Sequence, residues 1–309
     1  MLTEDEILQT VKREFPQDFE TIEFYRDGGS LSYMVSCKET KYFLRQIRPE
    51  MMETALQSLQ IHLYLQKVPF PVPEILFTKT GQPYVETVRD GERSLLVLYA
   101  FLEGGEPSDG DVERVGELIG RLHQVMEGYP EPLKIQDKHF FIGRYVNILT
   151  GKNHPLAQEY RVLGDKLWEK VKDLPRGYCH CDLYRGNIFR DRDGKLYVLD
   201  FDTSCNAFPM YDITLFCNET DFFSYSDDGF EKSQVWLRRF VRGYMKHRSL
   251  TEEEIQSYYI LHAVYHFQLQ ATIVEIYGVD CNDADFERRQ MDWLRSWLAK
   301  AKEAVGLEI

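Results

Sequence analysis

The spacing of apolar residues changes once along this 309-residue chain, and this change limits the fold more than any other feature. Up to residue 103, short stretches alternate apolar with polar residues and end at turn signals, a pattern typical of antiparallel strands. After the segment 102–107, most stretches repeat every three to four residues, as amphipathic helices do. We therefore expect an α+β chain of two lobes, a five-stranded antiparallel sheet at 1–103 and a mainly helical part at 104–309.

Local signals place the individual elements. Thr3 and Glu6 form a capping box ahead of a first helix, and a second helix is expected at 50–67. Strand patterns lie at 21–26, 31–37, 41–47, 74–78, 83–88 and 93–101. Helical patterns in the second half lie at 112–126, 155–172, 231–247, 251–277 and 283–304.

The chain carries 37 Lys and Arg residues against 50 Asp and Glu residues, a formal net charge of −13. This balance argues against a nucleic-acid partner, because neutralising phosphates requires a basic surface. The longest apolar run, residues 95–102, is too short to cross a bilayer, and the acidic N-terminus does not resemble a leader, so no membrane association is expected. Six sparse cysteines predict reduced thiols and a cytoplasmic location. A zinc site at Cys179, His180 and Cys181 is an alternative, but paired zinc ligands are usually separated by at least two residues.

One segment of the second half, 177–202, has a different character. Asp193 and Gly194 form a two-residue hairpin signal between two apolar stretches. In a hairpin the residue numbers of every facing pair have the same sum. If Arg192 faces Lys195, the pair with the same sum that includes Asn187 is Asn187 and Asp200, so these two residues are expected to face each other. Cross-strand partners have Cβ atoms about 5 Å apart.

An amide oxygen and a carboxylate placed in this way can share a divalent ion, and Mg²⁺ prefers such hard oxygen ligands. Asp202 lies two residues beyond Asp200 and points to the same face if the strand continues. Asp182 lies five residues before Asn187, in the turn that leads into the hairpin. Unpaired carboxylates where a chain enters the core are costly unless a cation joins them, so these four residues predict a metal-dependent site.

The pattern His180-x-Asp182-x4-Asn187, followed by Leu199-Asp200-Phe201-Asp202, resembles the catalytic loop and metal motif of the aminoglycoside phosphotransferase and choline kinase-like family. That family has the bilobal fold of protein kinases. The resemblance implies that Asp182 is the base that accepts the proton of a substrate hydroxyl, and that His180 holds the loop in shape. It implies that Asn187 and Asp200 hold Mg²⁺ against the phosphates of ATP, and Asp202, from its position beyond Asp200, is expected as a further metal ligand.

The same resemblance assigns the first lobe to ATP. Gly28, Gly29 and Ser30 lie between two strands, where main-chain N–H groups can approach phosphates, although such a turn also occurs in ordinary hairpins. Arg45 stands where the family has a phosphate-binding Lys, and the alternative is a surface cation on a strand. Glu53 is expected to orient Arg45.

The stretch 98–102 resembles the hinge of this family, where main-chain groups of Ala100 and Leu102 would bind adenine. Cys181 departs from the family pattern, which has Gly at this position. Asp212 resembles a downstream Asp that braces the catalytic loop.

Two further groups of residues bear on the substrate. Acidic residues without Lys or Arg between them follow the metal motif, namely Asp212, Glu219, Asp221, Asp227, Asp228 and Glu231. They fit either a cationic acceptor or a solvated loop. His262 and His266, four residues apart on a helix, fit either a zinc pair or an aromatic core, and the core is the preferred interpretation.

These observations predict an ATP- and Mg²⁺-dependent phosphotransferase that acts on a hydroxyl of a small molecule, such as an aminoglycoside or an amino alcohol. One alternative is a non-catalytic binding or structural protein on the same fold, similar to spore-coat relatives of the family. A second alternative is a protein kinase, although the chain lacks the His-Arg-Asp and Ala-Pro-Glu motifs.

Overall fold

A computed structural model describes residues 1–220 and 229–307 of the chain. These residues form two compact units. The first consists of Met1–Glu106 and Gly186–Thr203, and the second of Pro107–Arg185 and the described residues from Ser204 onward. The predicted hairpin segment therefore groups with the N-terminal residues, whereas the lobes predicted at 1–103 and 104–309 stay a prediction.

The first unit is built on the predicted five-stranded antiparallel sheet, in the order β1-β2-β3-β5-β4. Its strands are β1 (Thr21–Asp27), β2 (Ser30–Cys37), β3 (Thr40–Ile47), β4 (Val85–Arg89) and β5 (Glu92–Ala100). Helices α1 (Glu4–Glu14) and α2 (Met52–Lys67) precede and follow the first three strands. The capping box of Thr3 and Glu6 is present at the start of α1.

Strand β5 of this sheet is buried on both of its faces. Leu96 and Leu98 of β5 belong to the apolar cluster that contains Ile7 and Val11 of α1. Leu95 and its neighbour Val97 belong to the cluster that contains Leu59 of α2. Because β5 is covered on both faces, its sequence is a continuous apolar run instead of an alternating one.

The strand predicted at 74–78 is wrong. Strand β4 pairs with only the first half of β5, and residues 74–76 approach the remaining half. They are joined to it by two hydrogen bonds, in which Leu76 N–H donates to Leu98 O and Ala100 N–H donates to Glu74 O. The segment before it contains three prolines, which lack the N–H that a ladder requires.

A smaller three-stranded sheet completes the first unit and contains the hairpin. Its strands are β6 (Gly104–Gly105), β8 (Ile188–Asp191) and β9 (Leu196–Val198), in the order β6-β8-β9. Ile188 pairs with Val198, and Leu199 N–H donates to Asn187 O at 2.9 Å. Asn187 therefore faces Leu199, and the predicted pairing of Asn187 with Asp200 is wrong by one residue.

The turn explains this difference. Asp191 and Lys195 close a loop of three residues, because Asp191 N–H donates to Lys195 O, and the side chain of Asp191 accepts from Lys195 N–H. Gly194 takes a positive φ of 81° within this loop. A type I turn followed by a left-handed Gly is a common three-residue hairpin, and it shifts the register of a two-residue turn by one.

The second unit is mainly helical. Its helices are α3 (Val112–Met126), α4 (Arg144–Gly151), α5 (Ala157–Val171), α6 (Pro209–Phe216), α7 (Gly229–Tyr244), α8 (Glu252–Tyr277) and α9 (Ala284–Val305). Two short strands, β7 (Gly177–Cys179) and β10 (Cys205–Ala207), pair in antiparallel fashion. In the described residues, no helix is both long and apolar enough to span a membrane.

Helices α3 and α7 pack with almost no space between their backbones. A Cβ atom on Gly243 of α7 would lie 1.8 Å from the carbonyl oxygen of Glu113, and one on Gly116 of α3 would lie 2.1 Å from that of Phe240. Only glycine permits this approach.

The preferred interpretation of His262 and His266 is confirmed. Both are buried in α8, and their rings stack on Trp297 and Trp293 of α9, with centroids 3.8 and 3.9 Å apart. Burial lowers the pKa of both imidazoles, which suits neutral core residues.

Candidate active site

The first unit contains a cavity of about 600 Å³, and five of the predicted site residues line it. They are Arg45, Ala100, Leu102, Asn187 and Asp200. A volume of this size is typical of sites for small ligands. Strand β3, the chain after β5 and the hairpin all contribute to the lining, so residues that are distant in sequence meet here.

Arg45 is the central charged group of this cavity. Its side chain is 15% exposed, its Nη2 atom lies 2.6 Å from Oδ2 of Asp202, and its Nη1 atom lies 3.8 Å from Oδ1 of Asp200. Burial disfavours its charge, but the nearby side chains of Asp202, Tyr99 and Asp200 outweigh burial and raise the pKa of Arg45 above its ordinary value. The guanidinium stays charged, and the alternative of a surface cation is wrong.

The glycine-rich turn has a less direct relation to the cavity. The hydroxyl of Ser30 is buried and accepts a hydrogen bond from Nε of Arg45 at 2.9 Å, so Ser30 positions the cation. Gly28 and Gly29 are exposed between β1 and β2, and a Cβ atom on either would meet nothing within 4 Å. Their contact with phosphate stays a prediction.

The carboxylate that holds Arg45 is Asp202, where Glu53 was expected. Glu53 is exposed in the first turn of α2. The α2 residues that line the cavity are Ser58 and His62. Burial and, to a smaller degree, the charge of Arg45 lower the pKa of His62 to about 4, although the carbonyl of Pro73 opposes this shift. A neutral imidazole therefore lies near the cation.

Asn187 and Asp200 provide oxygen atoms that suit a hard cation. Asn187 is buried at the end of a short 3-10 turn, and Asp200 has a left-handed backbone with φ of 56°. This conformation ends the extended strand, so the predicted continuation to Asp202 on the same face is wrong. The Oδ1 atom of Asp200 is buried without a hydrogen-bond donor in the described residues, while its side chain as a whole is 38% exposed. A bound cation would satisfy this oxygen.

The second unit carries Asp182 and His180 in the loop after β7. His180 is fully buried, and its main-chain N–H donates to Oδ2 of Asp212 at 2.7 Å. The N–H of Cys181 donates to Oδ1 of Asp212 at 2.8 Å, which confirms the predicted bracing role of Asp212. Cys181 has a φ of 67°, a conformation that glycine adopts without strain.

Asp212 is a buried carboxylate that stays charged. Burial would raise its pKa, but the hydrogen bond from His123 at 3.0 Å, the charges of His123 and His180 and the thiol of Cys179 together lower the pKa below its ordinary value. Asp182, in contrast, is exposed. Burial and the nearby carboxylate of Asp182 raise the pKa of Tyr265 in α8.

Comparison with known proteins bears on the identity of the chain. The family model described as "Phosphotransferase enzyme family" (APH) matches residues 21–253. The chain belongs to this family. The predicted family is thereby confirmed.

Solved structures share the fold of this chain. An amicoumacin kinase in complex with AMP-PNP, Ca²⁺ and Ami superimposes with a TM-score of 0.75 at 17% identity, covering 97% of this chain and 94% of that one. A microcompartment-associated aminopropanol kinase gives 0.67 at 17% identity, covering 98% of both chains. Choline kinase LicA from Streptococcus pneumoniae gives 0.57 at 14% identity, covering 97% and 99%. The predicted kinase-like α+β fold is confirmed.

Curated relatives are named homoserine kinase. The protein of Rhizobium meliloti (strain 1021) is 28% identical over 206 residues, which cover 61% of this chain and 57% of that protein. The protein of Zymomonas mobilis subsp. mobilis is 24% identical over 273 residues, which cover 78% and 80%. The chain thus spans little more than half the length of the first of these relatives and most of the second.

Several residues near Arg45 and Asp212 belong to none of the sequence motifs. His62 and Tyr99 lie in apolar stretches, and His123 lies on a helix, so no local signal marked them as neighbours of Arg45 or Asp212. Asp221, Asp227 and Asp228 of the acidic stretch lie outside the described residues. Glu219 is half-buried, which raises its pKa. A cationic acceptor beside this stretch stays a prediction.

Proposed function

We propose that this chain is an ATP- and Mg²⁺-dependent kinase that transfers the γ-phosphoryl group to a hydroxyl of a small molecule. The single observation that carries the proposal is the cavity that Arg45, Asn187 and Asp200 line together. A fixed cation beside an amide and a carboxylate suits the phosphates of a nucleotide and their metal ion.

The nucleotide is assigned to this cavity with its base near Ala100 and Leu102. The N–H of Ala100 already donates to Glu74 O, so we assign the carbonyl of Ala100, and not its N–H, to the amino group of adenine. Leu102 lines the cavity and is the second candidate. Arg45 is assigned to the phosphates, where a planar guanidinium can donate two hydrogen bonds.

Asn187 and Asp200 are assigned to Mg²⁺, because both line the cavity and, among the residues that the structure describes, none donates a hydrogen bond to Oδ1 of Asp200. A bound Mg²⁺ neutralises charge on the phosphates. Asp202 was expected among the metal ligands, but its contact of 2.6 Å with Arg45 favours the role of holding that cation in place.

Asp182 is assigned the role of base. Its carboxylate is exposed, so it can accept the proton of a substrate hydroxyl as phosphoryl transfer proceeds. His180 acts through the backbone, since its N–H and that of Cys181 are held by Asp212. This leaves the loop before Asp182 in one conformation, which suits a reaction that depends on positioning.

For the acceptor we propose a small molecule that carries both a hydroxyl and an amino group. The relatives are named homoserine kinase, and an aminopropanol kinase and a choline kinase share the fold. The formal charge of −13 is compatible with a cationic amine. The cytoplasmic location stays a prediction.

The test is a phosphorylation screen with Mg-ATP across homoserine, aminopropanol, choline, aminoglycosides and sugars, followed by phosphorus NMR of the product. Asp182→Asn should abolish transfer, whereas Asp193→Asn, a matched change of an exposed carboxylate in the hairpin turn, should not. Retained transfer in Asp182→Asn would remove the base assignment. Absence of Mg-ATP binding by calorimetry would favour the non-catalytic alternative, and phosphorylation of proteins alone would favour a protein kinase.

A further inference from the structure

Three cysteine thiols meet in the interior of the second unit, beside the loop that carries Asp182. Cys179 of β7 lies directly opposite Cys205 of β10 in the strand pairing. Cys181 follows two residues later, after the chain has turned through its positive φ. All three residues are buried, and their Sγ atoms lie within 4.8 Å of one another.

This separation suits a single metal ion. When three sulfur atoms each lie about 2.3 Å from a shared metal ion in one plane, they are about 4.0 Å from one another. Each sulfur of this cluster therefore needs to move by less than about 1 Å to reach bonding distance. We propose that Cys179, Cys181 and Cys205 form a three-thiolate binding site for a soft, thiophilic metal ion, with monovalent copper as the natural ion that fits best.

The ligand set distinguishes copper from zinc. Structural zinc is almost always held by four ligands in a tetrahedron, and soft sulfur ligands in smaller number suit Cu(I). In the described residues, the ligand atoms that all lie within 4.8 Å of one another are these three sulfurs, and Asp212, whose Oδ1 lies 3.0 Å from Sγ of Cys179, is outside this group. The zinc site considered from the sequence consists of Cys179, His180 and Cys181. In the structure the third ligand of the group is Cys205 of β10, and not His180.

Each of the three thiols must lose its proton to bind a metal ion, because the thiolate, and not the thiol, is the ligand. The thiol of Cys179 donates to Oδ1 of Asp212 at 3.0 Å. On binding, the thiol protons pass to solvent, and Asp212 keeps the donors from His123, His180 N–H and Cys181 N–H.

An ion at this site would join three pieces of the chain. Two ligands belong to β7 and β10, and the third, Cys181, immediately precedes Asp182. Occupancy would therefore stiffen the loop that carries the proposed base. The binding itself does not depend on the proposed kinase activity, so the two proposals can fail separately.

The experiment is a titration of the full-length, reduced protein with Cu(I) under anaerobic conditions, in competition with a Cu(I) chelator. We expect one ion per chain and a thiolate-to-copper charge-transfer band in the ultraviolet. Cys205→Ser and Cys181→Gly should both lose the band, and thermal unfolding should show that they remain folded. The glycine variant is the safer of the two, because the backbone at residue 181 suits glycine.

The matched control is the double variant Cys37→Ser, Cys281→Ser, which removes the half-buried and the exposed cysteine outside the cluster and should leave the band unchanged. The proposal is overturned if the wild-type protein gives no band, or if either cluster variant keeps it.

Discussion

Arg45 and Asp202 form a charged pair 157 positions apart in sequence, with Nη2 of the arginine 2.6 Å from Oδ2 of the aspartate. Both side chains are about 85% buried. The pair ties β3 of the five-stranded sheet to the segment after the hairpin, within one compact unit. It sets the position of the only cation that the sequence motifs had assigned to phosphate.

Asp202→Ala should destabilise the protein by about 3 kcal/mol, because it leaves the buried guanidinium of Arg45 without its main partner. Urea unfolding followed by circular dichroism measures this. The matched control is Asp27→Ala, which removes the partner of Arg48 from a pair whose aspartate is 63% exposed. That loss should be below about 1 kcal/mol. Equal losses in the two variants would show that the Arg45 pair is not a buried one.

Arg45→Lys restores the residue that the family has at this position, and it should nevertheless weaken Mg-ATP binding, on the order of tenfold. Lysine keeps the charge but cannot donate from separate nitrogens to Ser30 and Asp202 at once. A tenfold change corresponds to about 1.4 kcal/mol, which is about the contribution of one hydrogen bond to a charged group. Calorimetry with Mg-ATP decides the matter, and unchanged or tighter binding by the lysine variant would refute the proposed role of the guanidinium fork.

His62 should make the protein less stable as the pH falls from about 6.5 to about 4. The folded-state pKa of His62 is lowered to about 4, so between these values the unfolded chain takes up a proton that the folded protein does not. The loss amounts to about 3 kcal/mol at the lower end of this window. His62→Gln should reduce this loss, whereas His139→Gln, at an exposed position, should not. The free energy of unfolding at several pH values provides the comparison.

Gly243→Ala should destabilise the protein by about 3 kcal/mol, because the new Cβ atom would lie 1.8 Å from the carbonyl oxygen of Glu113. The backbones of α3 and α7 would have to separate. Gly151→Ala is the matched control: its Cβ atom would meet nothing within 4 Å, and alanine should stabilise this helical position by about 0.5 kcal/mol. Thermal unfolding of both variants measures the difference, and a neutral Gly243→Ala would mean that the two helices pack less closely than described.

The local signals of the sequence determined much of the fold. The capping box at Thr3, the alternating stretches and the helical repeats depend only on neighbouring residues, so the five strands of the sheet and most helices were predictable within a few positions. The family was predictable as well, because the residue types and spacing around Asn187 and Asp200 indicate it whatever the exact register.

The tertiary structure decided which of these residues meet. Because the hairpin loop has three residues and not two, Asn187 faces Leu199. The chain turns at Asp200, which has a left-handed backbone, and Asp202 beyond it contacts Arg45. The thiols of Cys179 and Cys205 became neighbours only when β7 paired with β10. Sequence patterns report the preferences of nearby residues, whereas contacts between distant residues depend on strand register, turn conformation and burial, which are settled only when the whole chain packs.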